Sequence, residues 1–344
     1  MSLKRELLII ICFVFLSLTL IVSVSFALFE METKKPFNLQ GKEEVFVVEK
    51  GEGAKQIAKN LGEKGVIRND ILFILYVLKS GEAGKIKAGK YSLSSAMTIS
   101  QIAEKLVKGE VMKEKIIILE GWSLRDIERE LISKFLVQRT TSLWLEISAE
   151  NVKSYKEDYE FLKDAPDSAT LEGYIFPDTY EVDEGETTKS ITRKALDNFD
   201  KKLTEDLRKE IKKQNKSIFE IVTMASLLEK EVRTSEDKKI VSGIFWKRIS
   251  IGQPLQSCAT VAYAIGVDKW RYSYEDTRTK SPYNTYLNQG LPIGPISNPG
   301  LESIKAAIEP EKSDYWYYLS DTEGKTIFSK TFEEHNIAKA KYLK

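Results

Sequence analysis

From Leu7 to Phe29 the chain runs for 23 residues without a charge, nearly all of them apolar. A helix of that length can cross a hydrocarbon layer about 30 Å thick. Lys4 and Arg5 come just before it, and this basic flank predicts a cytoplasmic N-terminus. A cleaved signal peptide is the competing reading, with Ser25-Phe26-Ala27 as its cleavage site. The stretch exceeds the ~7–15 residue apolar core of such peptides, so an uncleaved anchor is expected. Cys12 lacks the preceding small residue that a lipoprotein signal needs. The expectation is a single-pass protein of the cell (inner) membrane whose folded part is extracytoplasmic.

Roughly 315 residues follow the anchor, enough for two or three domains. Lys and Arg number 52 against 51 Asp and Glu, so there is no polycationic face for nucleic acid. Cys258 is the only cysteine beyond the apolar stretch, which excludes an intramolecular disulfide there. With His335 as the only histidine, a usual zinc site is not expected, and no cofactor motif is present.

Beyond the anchor, residues 30–42 are polar and read as a linker. Residues 43–110 read as a small unit. Val45 to Val48 forms a strand, Gly51-Glu52-Gly53 turns the chain, and Ala54, Ile57, Ala58 and Leu61 recur at helical spacing. A second helix is predicted from Asp70 to Leu78, a strand from Ala88 to Leu93, and a third helix from Ile99 to Val107, closed by Gly109. Ile117-Ile118-Leu119-Glu120-Gly121, leading into Ile127 and Leu131, repeats the Val47-Val48-Glu49-Lys50-Gly51 pattern seventy residues later. Residues 151–169 look like an exposed, charged excursion, and residues 189–213 like an amphipathic helical stretch. The predicted class is α+β, with residues 111–344 as the larger mixed unit.

Chemistry concentrates in one segment. Ser217 can cap a helix with Glu220 as its capping-box partner. Ile218, Ile221, Val222, Ala225, Leu228 and Val232 then form a stripe at 3.6-residue spacing. Apolar residues lie on both sides of this helix, so it is expected to be internal, and Glu229 and Glu231 sit near its end. A carboxyl in apolar surroundings keeps its proton toward neutral pH and can donate it. The alternative is two surface acids balanced by Lys230 and Arg233. Periodicity does not choose between the glutamates. Further on, the loop of residues 290–300 carries Pro292, Pro295 and Pro299, which fix the backbone, as suits either a structural crossing loop or a rigid wall for a ligand. Trp270, Tyr272, Tyr283, Tyr286 and residues 315–318 supply aromatic rings suited to core or to sugar stacking, and 315–319 reads as a strand.

Taken together, Leu171 to Tyr180, Ala225-Ser226, Glu229-Lys230-Glu231, Leu255-Gln256, Tyr283-Asn284-Thr285-Tyr286, Gly290-Leu291-Pro292 and Gly294-Pro295-Ile296 resemble, in order, the YceG-like family of membrane-anchored endolytic murein transglycosylases. The resemblance implies a LysM-like βααβ subdomain at 43–110 and a catalytic domain at 111–344 whose acid-bearing core is about 216–344. It implies the second acid, Glu231, as the catalytic one. It further implies a peptidoglycan-strand substrate, cleavage between N-acetylmuramic acid and N-acetylglucosamine that leaves 1,6-anhydro ends, and partnership with cell-wall synthases (penicillin-binding proteins). Gln256, Tyr283, Asn284 and Thr285 are then expected to line the cleft, with Glu172, Tyr174 and Ser226 also facing substrate. Cys258-Ala259 stands where relatives carry Asp-Pro, and Ile293 where a second proline is common. A water-using muramidase and a non-catalytic peptidoglycan-binding scaffold are the alternative functions.

Overall fold

The computed structural model of the chain describes residues 2–135, 151–182, 186–269 and 272–343. Trp270 and Asp183 to Gly185 therefore lie outside the described residues. The chain divides near Glu114 into two compact units.

The first unit begins with α1 (Ser2–Thr33), whose segment Leu7–Thr33 is long and apolar enough to span a membrane. The helix continues to Thr33, so the sequence-predicted linker shortens to residues 34–42. After it come β1 (Glu43–Val48), α2 (Ala54–Glu63), α3 (Asp70–Lys79), β2 (Gly89–Ser94) and α4 (Ile99–Lys108). The two strands pair antiparallel, with Phe46 opposite Tyr91. Alternation turns Phe46 and Val48 inward, onto Ile57, Leu61, Phe73, Leu93 and Ile102. Asn69 caps α3 through its side chain. Thr98 and Gln101 form a capping box on α4, and Gly109 closes that helix in the left-handed region. The order β–α–α–β matches the sequence expectation for this unit.

The second unit contains β3 (Glu114–Ile117), α5 (Leu124–Phe135), β4 (Thr179–Val182), α6 (Thr188–Lys202), α7 (Glu205–Lys213), α8 (Ile218–Glu231), α9 (Ser235–Ser250), α10 (Cys258–Ile265), α11 (Leu301–Ile308), β5 (Tyr317–Ser320), β6 (Thr326–Ser329) and α12 (Phe332–Tyr342). β3 pairs with β4, and β5 pairs antiparallel with β6. The sequence repeat is real as local structure, since each copy is a strand, a left-handed glycine (Gly51 or Gly121) and a helix. The strands of the two copies take different partners.

At the centre of this unit runs α8. Ser217 and Glu220 form the expected capping box, and residues 221–228 are all buried. The helix packs against α7, α9, α10 and α11. Two sequence expectations change here. Residues 151–169 are irregular as predicted, yet Val152, Tyr155, Phe161 and Leu162 are buried in the core. Residues 189–213 break into two helices, because Leu203 leaves helical geometry and turns into the core. Tyr174 packs there against Phe161 and edge-on against Phe199, at 5.9 and 5.4 Å between ring centres.

Gly173 carries the chain between this aromatic core and the proline-rich loop. Its φ is 89°, and a methyl group there would lie 2.6 Å from Pro295 Cβ and 2.7 Å from Val222 Cγ1. Gly173→Ala is expected to lower stability by about 2 kcal/mol or more, from left-handed strain plus overpacking. Urea unfolding should show a lower midpoint with an unchanged slope.

Candidate active site

The last turn of α8 carries both glutamates, and the structure gives them different environments. Glu229 is a structural ion pair. Its Oε1 lies 2.8 Å from Lys238 Nζ, with both side chains under 10% exposed (8% and 6%), and its Oε2 accepts the Gly300 N–H at 2.8 Å. Among the described residues, the hydrogen-bond donors to Glu231 are neutral. Ser257 Oγ donates to its Oε1, Tyr318 OH donates to Oε2 at 2.8 Å, and the Ala259 amide also donates to the carboxyl. Burial pushes the Glu231 carboxyl above the usual carboxylate range, against the pull of Ser257, Tyr318, the Ala259 amide and nearby Arg248. The residue is half-buried and borders a cleft of about 490 Å³, together with Glu120, Gly121, Lys230 and Asp321. Burial and the neighbouring Glu229 also push Glu120 up.

The partners of Glu231 come from distant segments, and Arg248 holds those segments together. From α9 it donates to the Leu255 carbonyl and to the Trp316 carbonyl, both at 2.6 Å. One carbonyl lies two residues before Ser257, the other two residues before Tyr318. Thr285 supports the Ser257 side: its Oγ1 accepts the Ser257 N–H at 3.1 Å and sits 2.9 Å from Thr260 Oγ1. Its carbonyl accepts the Gln256 N–H at 3.1 Å. Gln256 is exposed with φ 54°, an uncommon backbone for a residue with a Cβ.

The other sequence-predicted residues fall into two groups. Tyr283 is half-buried, its ring 4.8 Å from that of Tyr263. Asn284 and Thr285 are fully buried and Ser226 is too, so all three support walls rather than face solvent. Asn284 Nδ2 binds the carbonyls of Thr277 and Thr279. Ser226 Oγ accepts the Ile296 N–H at 3.0 Å, and its carbonyl accepts Ser297 Oγ at 3.1 Å, which fixes the proline-rich loop to α8. Tyr174 lies in the aromatic core, 0% exposed, because its ring fills the space between Phe161 and Phe199. Glu172 is buried at the start of α5. It accepts the Leu124 N–H at 3.0 Å, Tyr263 OH at 3.1 Å and Asn298 Nδ2 at 3.3 Å.

A second hollow of about 280 Å³ shares Gly121 and Lys230 with the first and extends past Arg125, Tyr263 and Ile296. Sequence reading missed Ser257, Tyr318 and Arg248. Tyr318 sits on a correctly anticipated strand, but nothing local marks where its hydroxyl goes. Among the described residues no cluster of His, Cys, Asp and Glu is suited to a metal ion. His335 stacks on Tyr317, ring centres 5.2 Å apart.

Residues 46–341 match the YceG-like family. The chain is 34% identical over 309 residues to an endolytic murein transglycosylase of Bacillus subtilis, covering 85% of this chain and 83% of that protein. It is 31% identical over 337 residues to an endolytic murein transglycosylase of Streptococcus pneumoniae, covering 91% of this chain and 61% of that longer protein. A crystal structure of a yceG-like protein from Listeria monocytogenes, 34% identical, superposes with a TM-score of 0.59 over 87% of this chain and 99% of that one.

Burial raises the Glu172 carboxyl from the ordinary 4.5 to about 8, more than its hydrogen-bond donors lower it. The folded state then holds a proton that the unfolded state has released. The stabilisation is complete below about 4.5 and is lost as pH rises to about 8. Unfolding midpoints should therefore fall across that window. Glu172→Gln, which cannot ionise, should flatten the decline, and an unchanged slope would refute the assignment.

Proposed function

The chain belongs to the YceG-like family, and on that premise we propose that it is an endolytic murein transglycosylase that cleaves peptidoglycan strands between N-acetylmuramic acid and N-acetylglucosamine. The observation that carries this reading is Glu231: a carboxyl raised by its surroundings, held by hydroxyl and amide donors, on the border of a groove.

Protonated Glu231 donates to the glycosidic oxygen as the bond to C1 of the muramoyl residue breaks. The carboxylate formed then takes the proton of that sugar's C6 hydroxyl. The C6 oxygen bonds to C1, leaving a 1,6-anhydro end and a regenerated acid. The nucleophile belongs to the substrate, so the carboxylate pair of ordinary glycosidases is not required. Ser257, Tyr318 and the Ala259 amide suit the second half of this cycle, because they stabilise the ionised carboxyl in place. Gln256 and Tyr283 are the predicted residues best exposed for sugar contact, while Thr285, Asn284 and Ser226 act by holding the walls. The β–α–α–β order of the first unit supports a LysM-like module that grips N-acetyl sugars. The apolar α1 supports a single-pass anchor with the second unit extracytoplasmic, placed to end nascent strands beside cell-wall synthases.

Glu231→Gln should reduce strand cleavage by roughly 10²–10⁴-fold. Mass spectrometry of wild-type products should show ends lighter by one water than a muramidase would leave. Retained cleavage in the variant, reducing ends, or no cleavage by the wild type would each defeat the reading, the last favouring a binding scaffold.

Activity requires the protonated acid, so kcat/KM should fall as pH rises through the elevated pKa of Glu231. Tyr318→Phe removes a hydrogen bond that favours the ionised form. The alkaline limb should move to higher pH while turnover drops by about tenfold, equivalent to ~1.4 kcal/mol. A limb that stays put would separate Tyr318 from the acid.

A further inference from the structure

In the first unit, α3 differs from its neighbours. Residues 71–78 form an unbroken apolar and aromatic run, and the core uses only one side of it. Phe73 and Val77 are fully buried, whereas Ile71, Leu75 and Leu78 are 61%, 48% and 60% exposed. These three lie four and three residues apart and so share one stripe. A helix face turned to water ordinarily carries charge. The neighbouring α2 does so, exposing Lys55, Lys59 and Glu63.

The position of α3 explains the difference. At its C-terminal end, the Lys79 ammonium lies 4.3 Å from the Phe26 ring centre and 5.2 Å from that of Phe29, and it pairs with Glu30. These partners are the last apolar turns of α1 and the first charge beyond them. At the other end, Asn69 and Leu72 border a small hollow with Glu32 and Phe37, and Arg68 lies over the Phe37 ring at 5.3 Å. α3 thus runs back alongside the end of α1, with Lys79 level with Phe26 to Glu30. Thr33, at the junction, is 1% exposed.

We propose that the Ile71, Leu75 and Leu78 stripe of α3 lies in the outer interface of the lipid bilayer, continuous with α1, so that the first unit is seated on the membrane. This deepens the anchor reading and rests on it. The seat is graded in depth. Leu78 is deepest, level with Phe26 and Phe29, and Ile71 is about 10 Å shallower at 1.5 Å of rise per residue. Lys79 sits where a long basic side chain keeps its stem in apolar surroundings and its charge among head groups.

The test uses the full chain with Cys12→Ser and Cys258→Ser, reconstituted into phosphatidylcholine–phosphatidylglycerol vesicles. Single cysteines replace Leu78, Leu75 or Ile71, with Lys59 on α2 as the aqueous control and Leu18 on α1 as the membrane control. Each carries an environment-sensitive fluorophore. Lipids brominated near the head groups should quench the probe at Leu78 most, Leu75 next and Ile71 least, with blue-shifted emission. The Lys59 probe should respond only to aqueous iodide. Probes at Leu75 and Leu78 that iodide quenches and bromolipid does not would overturn the proposal. So would probes shielded from both, which would mean that protein covers the face. A Leu18 probe insensitive to lipids brominated deep in the chains would overturn the anchor itself, and the seat with it. A quenched Leu18 beside unquenched α3 positions would remove the seat alone.

Discussion

Helix α8 is enclosed from residue 221 to residue 228, so every polar group it carries must find a partner inside the protein. Much of the candidate site follows from that constraint. Ser226 meets it by binding the backbone of the proline-rich loop, which thereby becomes a fixed wall. Glu229 meets it with Lys238 and the Gly300 amide. Glu231, one residue before the helix gives way to extended backbone, meets it with hydroxyl and amide donors at the edge of a groove. Burial among neutral donors leaves the protonation of a carboxyl sensitive to small changes around it. Two acids two residues apart thus serve different purposes.

The donors around Glu231 are themselves held by a second layer. Arg248 ties the segment before Ser257 to the strand before Tyr318, and Thr285 and Thr260 fix the backbone of Ser257. This layer accounts for the burial of several residues expected at the cleft. Thr285, Asn284 and Ser226 shape the site through hydrogen bonds to backbone, and Glu172 organises the start of α5. Tyr174 contributes only core volume. Cys258, between the two donors Ser257 and Ala259, lies 3.1 Å from Tyr286 OH.

Much of the fold could be read from the chain because its signals are local. Capping boxes at Thr98 and Ser217, the left-handed glycines at Gly51, Gly109 and Gly121, and the 3.6-residue stripe of α8 each state their element within a few residues. The failures were equally physical. Residues 151–169 are polar in composition, yet Val152, Tyr155, Tyr159, Phe161 and Leu162 among them fill a core formed by segments far along the chain. The end of α6 at Leu203 is set by burial of that side chain rather than by a glycine or proline.

By itself, the sequence determined that a helix long and apolar enough to span a membrane precedes a β–α–α–β unit and a larger α+β unit, and that two glutamates end an internal helix. Those features depend on spacing along the chain, which a periodic pattern records. Only the tertiary structure decided which glutamate is ion-paired and which is ringed by Ser257, Tyr318 and the Ala259 amide. It also brought Lys79, at the end of α3, beside Phe26, Phe29 and Glu30 at the end of α1. These outcomes depend on what segments tens of residues apart bring to within 3 Å or to one level. No local pattern carries that information, because the partners meet only when burial of the core has brought them together.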